Sequence, residues 1–334
     1  NGGTTGQLGS GAITNSGSLV VNRSDTTATI SGVISGTGSL IQAGTGMVAL
    51  NSANSYTGAT IINGGTLFTA ALANGGSNSN IGASTNAASN LVLNGGTLQY
   101  TGDGGTIDRL FSVGTGGGTV EQAGTGVGAL VFANTGAVGL AGSGPRTLNL
   151  TGSDVNTNTH ASQIVDSAGG ATSVGKNGGG TWVLTGNNTY TGPTTIGNGV
   201  LQIGAGGSSG SLGSGSILNN GDLDFRRTGT LTTTAAISGN GSVTNSGTGT
   251  VILAANNSYS GGTTISAGTL QVGNGGGSGS LNPTAFIQND SLLIFNTTGS
   301  FDYQGGGLIS GIGNVIVRGN GGIVRVYGAN TYTG

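Results

Sequence analysis

The chain has 334 residues and 18 charged side chains, eight basic and ten acidic, for a formal net charge of −2. That balance excludes a polybasic nucleic-acid surface and a highly charged disordered tail. Glycine fills 75 positions and Thr, Ser and Asn another 115, a composition unlike that of an ordinary enzyme domain.

The absence of cysteine removes disulfides, thiolate metal sites and cysteine nucleophiles together. Three prolines without a G-X-Y period exclude collagen. The longest apolar run, such as Val251 to Ala255, is about five residues where a membrane helix needs roughly 20, so no transmembrane segment is expected in this chain. Its first residues show no basic stretch followed by an apolar core, the pattern of a signal peptide. With one Lys, one Glu and one Met, and no sustained 3.6-residue apolar stripe, helix is not expected.

In chain order, the elements are short stretches with apolar residues two apart, among them Leu19/Val21, Leu98/Tyr100, Leu223/Phe225 and Leu270/Val272. Each is bounded by Ser-Gly, Asn-Gly or Gly-Thr-Gly, which reads as strands with one buried face joined by tight corners. The stretches repeat. Asn-x-Tyr-x-Gly followed by Gly-x-Leu begins at Asn54, Asn188 and Asn257, and a fourth copy starts at Asn330. Leu8 to Ile13 matches Leu212 to Ile217, 204 residues on, and Leu281 to Ile287 follows 69 residues later. Ile34-Ser-Gly-Thr-Gly recurs at Ile237 and Ile309. The unit is about 68–70 residues, giving repeats over about 1–68, 205–273 and a shortened 274–334, with a divergent double-length block over 69–204. Asn1-Gly-Gly3 aligns on Asn274-Gly-Gly276 and Gly334 on Gly261, so both ends fall within a repeat, as expected of a piece of a longer chain or of a subunit that stacks end to end.

Two all-β architectures fit. Asn63-Gly64, Asn94-Gly95 and Asn220-Gly221 are good hairpin turns, which would give antiparallel meanders. A unit of this length instead divides into three coils of about 22 to 23 residues, which predicts a parallel β-helix, one continuous β-solenoid over 1–334 with three rungs per repeat and about 15 rungs in all. Few aromatics favour the narrow coil.

Chemistry is sparse. His160, the only histidine, lies in a polar run from Asp154 to Ser162 and reads as a surface loop residue. Gly206-Gly-Ser208-Ser-Gly210 matches G-x-S-x-G but sits in a Gly/Ser corner with no following helix to expose a nucleophile. Asp222 and Asp224 share one strand face near Arg226 and Arg227, most simply a solvated, charge-paired surface rather than a calcium or polysaccharide-cleaving site. Asp103 and Asp108 read as loop acids. Tyr56, Tyr190, Tyr259, Tyr332 and Trp182 read as packing rather than a sugar-stacking platform. Thr228/Thr230 and Thr248/Thr250 hint weakly at an ice-binding face. No catalytic, cofactor or metal residue is assigned.

The run Gly178-Gly-Gly-Thr-Trp-Val-Leu184, Asn188-Thr-Tyr-Thr-Gly-Pro-Thr-Thr-Ile196, Gly199-Val-Leu-Gln-Ile203, echoed from Gly247 to Val272, resembles the autotransporter-associated β-strand repeat of bacterial surface passengers. Asn86 to Tyr100, continuing to Leu110, is similar to the longer stretches that accompany it. The resemblance implies export through an outer-membrane barrel and display as a right-handed parallel β-helix, extracellular or on the bacterial outer surface. The repeat carries no catalytic residues. The expected role is a non-enzymatic structural or adhesive stalk, in adhesion, biofilm or matrix, that meets a cell surface, matrix or polysaccharide by multivalent contact; end-to-end or lateral self-association into a fibre is the second expectation, and a polysaccharide-processing β-helix enzyme the third. No nucleic-acid partner and no cofactor are expected.

Overall fold

A computed structural model describes residues 2–126, 128–303, 308–319 and 323–334; Asn1, used in the end alignment above, lies outside the described residues. The chain is wound into a parallel β-solenoid of about 14 turns, all-β apart from one 3₁₀ turn at Ala88–Asn90. No helix among the described residues is long and apolar enough to cross a membrane. Two compact units divide it, Asn1–Trp182 and Val183–Gly334.

In the first unit, Met47–Leu50, Thr66–Thr69, Thr97–Tyr100, Gly118–Gln122 and Arg146–Gly152 pair in sequence order, every pair parallel. Val48, Leu67, Leu98, Val120 and Leu150 fall in register and are buried. A second face stacks Ser18–Val21, Ser39–Gln42, Thr60–Ile62 and Leu91–Leu93. In the second unit, Val200–Ile203, Asp222–Phe225, Ser242–Asn245, Thr263–Ile265 and Ile287–Asn289 form one such face, and Thr230–Thr233, Thr250–Leu253, Thr269–Val272 and Leu292–Phe295 another. The period-2 pattern therefore has the meaning expected of it: Leu223 and Phe225 point in, Asp222 and Asp224 point out.

The hairpin alternative fails at its own turns. Asn63-Gly64 joins Thr60–Ile62 to Thr66–Thr69, and Asn220-Gly221 joins Ile217–Asn219 to Asp222–Phe225; in both cases the two strands belong to different faces. These Asn-Gly pairs are corners between faces, and each strand finds its partner one turn away.

The repeated letters have distinct structural duties. In Asn-x-Tyr-x-Gly, the Asn side chain completes the preceding turn: Asn54 Oδ1 accepts from Ile34 N at 2.8 Å, Asn257 Oδ1 from Ile237 N at 3.0 Å and Asn330 Oδ1 from Ile309 N at 2.9 Å. The Tyr is core, its hydroxyl 2.7 Å from a threonine hydroxyl in the next strand, at Tyr56/Thr60, Tyr190/Thr194 and Tyr259/Thr263. In Ile-Ser-Gly, the glycine has positive φ (98°, 102° and 108° at Gly36, Gly239 and Gly311). A Cβ there would stand 2.2 Å from the carbonyl oxygen of Asn15, Asn219 or Asn289 in the turn below, so only glycine allows the approach.

The three turns of each repeat are present, with a further third. Ile217–Asn219 stacks under Ile237–Ser238; Ser258 N donates to Ile237 O, and Asn256 bridges Ser280 one turn beyond. The copy of Ile217 is Ile287, and it sits on the neighbouring face, between Thr263 and Ile309. Seventy residues thus make three and a third turns, about 21 per turn, as the 20-residue step from Leu223 to Val243 requires. Equivalent residues of successive copies consequently move round to the next face.

If the asparagine cap stabilises the turn it reaches back to, Asn257→Ala should cost about 1–3 kcal/mol by leaving the buried Ile237 N–H unpaired, measured by urea unfolding. Ser258→Ala, at an exposed neighbour, should stay within about 0.5 kcal/mol of the parent.

Candidate functional site

His160 is no loop residue. It ends the strand Thr157–His160, fully buried, with its ring 5.4 Å from that of Phe111 and 6.4 Å from that of Phe132. Strand alternation turns Asn158 and His160 inward, and the sequence hid this because the buried positions two away on either side, Asn158 and Ser162, are polar and the nearby Val155 is exposed. Neither ring nitrogen has a hydrogen-bond partner. Burial pulls the ring's pKa down to about 4, so it is neutral and sealed from any substrate.

Asp222 and Asp224 do share an outward face. The Ser242 hydroxyl donates to Asp222, and the Ser246 hydroxyl to Asp224 at 2.7 and 2.9 Å. Partial burial raises the Asp224 carboxyl; these hydroxyl bonds and the Arg226 charge oppose it. Arg227 does not pair with either acid. Its guanidinium turns in and donates to Ser208 O at 2.7 Å and to Gly210 O. The G-x-S-x-G match is therefore an exposed corner loop tied down by an arginine of the next turn.

The same device recurs in the first unit. Arg109 donates to Ala73 O at 2.7 Å, Gly82 O at 2.9 Å and Ser84 Oγ at 3.0 Å, and Arg146 to Val113 O at 2.5 Å and Gly142 O at 2.8 Å. Sequence reasoning passed over both arginines; an isolated Arg beside a glycine loop was the available signal. Asp108 accepts from Gly75 N at 2.7 Å, which makes it a loop acid with a structural bond. Trp182 is buried and donates to Thr151 O at 3.0 Å. Tyr56, Tyr190 and Tyr259 are fully buried, whereas Tyr332 is exposed, so no aromatic platform forms from them.

Much of what faces out is short and polar, beside exposed apolar side chains such as Val155, Phe286 and Ile312. Thr66, Thr97 and Thr119 stand in register on three successive turns of the first unit, and Thr230, Thr250 and Thr269 on three turns of the second. Thr228/Thr230 and Thr248/Thr250 thus do lie on adjacent turns, but Ala267 precedes Thr269 on the next, so the paired array stops at two. A 390 Å³ concavity in the first unit is floored by Gly95, Gly96 and Gly116–Gly118. A larger one, 520 Å³, runs along Thr4–Leu8, where Arg23 pairs with Asp25 and donates to Thr4 O at 2.7 Å. Neither gathers a set of catalytic groups.

Three stretches, 40–67, 175–203 and 243–272, match the model of the passenger-associated-transport-repeat. Over 171 residues the chain is 47% identical to the adhesin BmaC autotransporter of Brucella suis biovar 1 (strain 1330), which covers 51% of this chain and 5% of that relative. The chain thus spans a small part of the length of the relative it matches. No solved structure matches it significantly.

His160 gives a pH signature. The ring stays neutral in the fold but charges readily in the unfolded chain, so falling pH favours unfolding. The stability is whole above pH about 6.5 and drains as pH falls toward 4, by on the order of 3 kcal/mol. Denaturation curves across that window should show His160→Phe losing less than the parent by a similar amount. For the arginine tether, Arg227→Ala should speed hydrogen exchange at Gly206–Ser211 by about tenfold or more while exchange at Leu223 stays unchanged.

Proposed function

From the premise that this chain is a repeat-bearing part of an autotransporter passenger, outside the cell or on the bacterial outer surface, we propose that it serves as a non-enzymatic, adhesive stalk acting through a stiff repeating body and many weak contacts. The observation that carries this reading is where the polar chemistry goes. The one histidine is sealed in the core, and Arg109, Arg146 and Arg227 are spent on backbone carbonyls. Outside, among exposed apolar side chains such as Val155 and Phe286 and a few charges, stand ladders of threonine hydroxyls at the inter-turn spacing, about 4.8 Å. Such ladders suit shallow contact with a hydroxyl-rich or amide-rich surface, a polysaccharide or a protein matrix. Each contact is weak, and their number supplies the hold. The face shift from copy to copy spreads a given repeat position around the body, so the ladders that line up come from neighbouring turns and not from equivalent positions of successive copies.

Binding to polysaccharide- and matrix-coated surfaces should rise about 10²- to 10⁴-fold when the segment is displayed in clusters rather than singly. A single copy that binds tightly at one saturable site, or turnover of a polysaccharide or peptide that vanishes in Asp222→Asn, would overturn the proposal.

A further inference from the structure

The Asn-Gly corners are chemically unequal, and the hydrogen bonds of the solenoid sort them. Spontaneous deamidation at Asn-Gly proceeds by attack of the glycine backbone nitrogen on the asparagine side-chain Cγ. The nitrogen loses its proton, the N–Cγ bond forms and ammonia leaves, giving a succinimide. Water then opens the ring at one carbonyl or the other, leaving aspartate or isoaspartate. The step needs no oxidant and no enzyme. It does need the glycine nitrogen to be free of a hydrogen bond and the side chain to be free to swing.

Of the eight Asn-Gly pairs among the described residues, six lie more than one turn, about 21 residues, from the boundary of the two units, which leaves out Asn177 and Asn198. In four the glycine nitrogen is engaged: Gly75 N donates to Asp108 Oδ1 at 2.7 Å, Gly95 N to Gly117 O at 2.7 Å, Gly241 N to Asn219 O at 2.8 Å and Gly275 N to Asn296 O at 2.8 Å. Asn94 is held a second time, its Oδ1 accepting from Gly116 N at 3.0 Å, and Asn74 likewise from Asp108 N at 2.9 Å. Asn63 and Asn220 differ. Both are exposed, and the nitrogens of Gly64 and Gly221, only partly covered, make no hydrogen bond. Their side chains are held by single long bonds, Asn63 Oδ1 from Asn94 Nδ2 at 3.5 Å and Asn220 Oδ1 from Asn240 N at 3.2 Å.

We infer that Asn63 and Asn220 are sites of spontaneous deamidation in the folded protein, while Asn74, Asn94, Asn240 and Asn274 are protected by the fold. The molecule already contains the product at one of these corners. The copy of Asn220 in the following repeat is Asp290, whose Oδ1 accepts from Ile312 N at 3.4 Å, the counterpart of the Asn220 to Asn240 bond. An aspartate at 220 therefore fits the corner. Each event adds one negative charge to a chain with few charges, and at 220 it does so on the outward side next to Asp222.

The test is to hold the folded protein at mildly alkaline pH and 37 °C, digest it at intervals and measure deamidation of each Asn-Gly peptide by mass spectrometry, beside the same chain unfolded in urea, with isoaspartate methyltransferase labelling as a second readout. Folded, Asn63 and Asn220 should react within a few-fold of their unfolded rates, and the other four should be slowed about tenfold or more. Asn220→Asp should retain the parent unfolding midpoint. Comparable rates at all six sites in the folded chain, faster reaction at a protected site, or protection of Asn63 and Asn220 as strong as that of Asn94 would overturn the inference.

Discussion

The structure depends on each turn completing the backbone of the turn beside it. Strands of three or four residues have no independent stability, and many backbone groups at the corners find their partners some 20 residues away in sequence. This makes the corner the decisive element. The Asn of Asn-x-Tyr reaches back to cap the preceding strand, and the glycine of Ile-Ser-Gly lets one turn settle on the carbonyls of another. A side chain at Gly239 would force the turns apart, which is why glycine abundance here signals order and not disorder.

The same economy governs charge. A guanidinium has five donors and no acceptor, and in Arg109, Arg146 and Arg227 those donors gather carbonyls of glycine-rich loops, with Arg146 also reaching Val113 O in a strand. Burial lowers all three pKa values, and the hydrogen bonds offset part of that desolvation cost. The arginines therefore act as clamps rather than anion-binding groups. His160, packed between phenylalanines, is likewise withdrawn from the surface, where threonine hydroxyls stand beside exposed apolar side chains and a few carboxylates.

Repetition in sequence and repetition in space are different here. A 70-residue copy returns one face further round, so Ile217 and Ile287 occupy different sheets although their letters match. Conversely, Thr230, Thr250 and Thr269 line up although they belong to different turns of one copy. Threonine ladders thus arise between neighbouring turns, and the repeat period distributes equivalent positions around the body.

The sequence by itself determined the strands, their inward residues and the parallel coil, because period-2 alternation and a fixed repeat length are local properties that the buried face enforces; Leu223, Phe225, Leu270 and Val272 are core as their spacing says. It also read Tyr56, Tyr190 and Tyr259 as packing, as they are, whereas Tyr332, read the same way, is exposed. Only the tertiary structure decided that His160 is core, that Arg227 serves a loop instead of Asp224, that Asn220-Gly221 is a corner and Asn94 a locked one, and that each copy overshoots by a third of a turn. Those outcomes turn on which residue stands one turn above or below, and that neighbour is set by the length of every intervening corner, a sum that no short window of sequence contains.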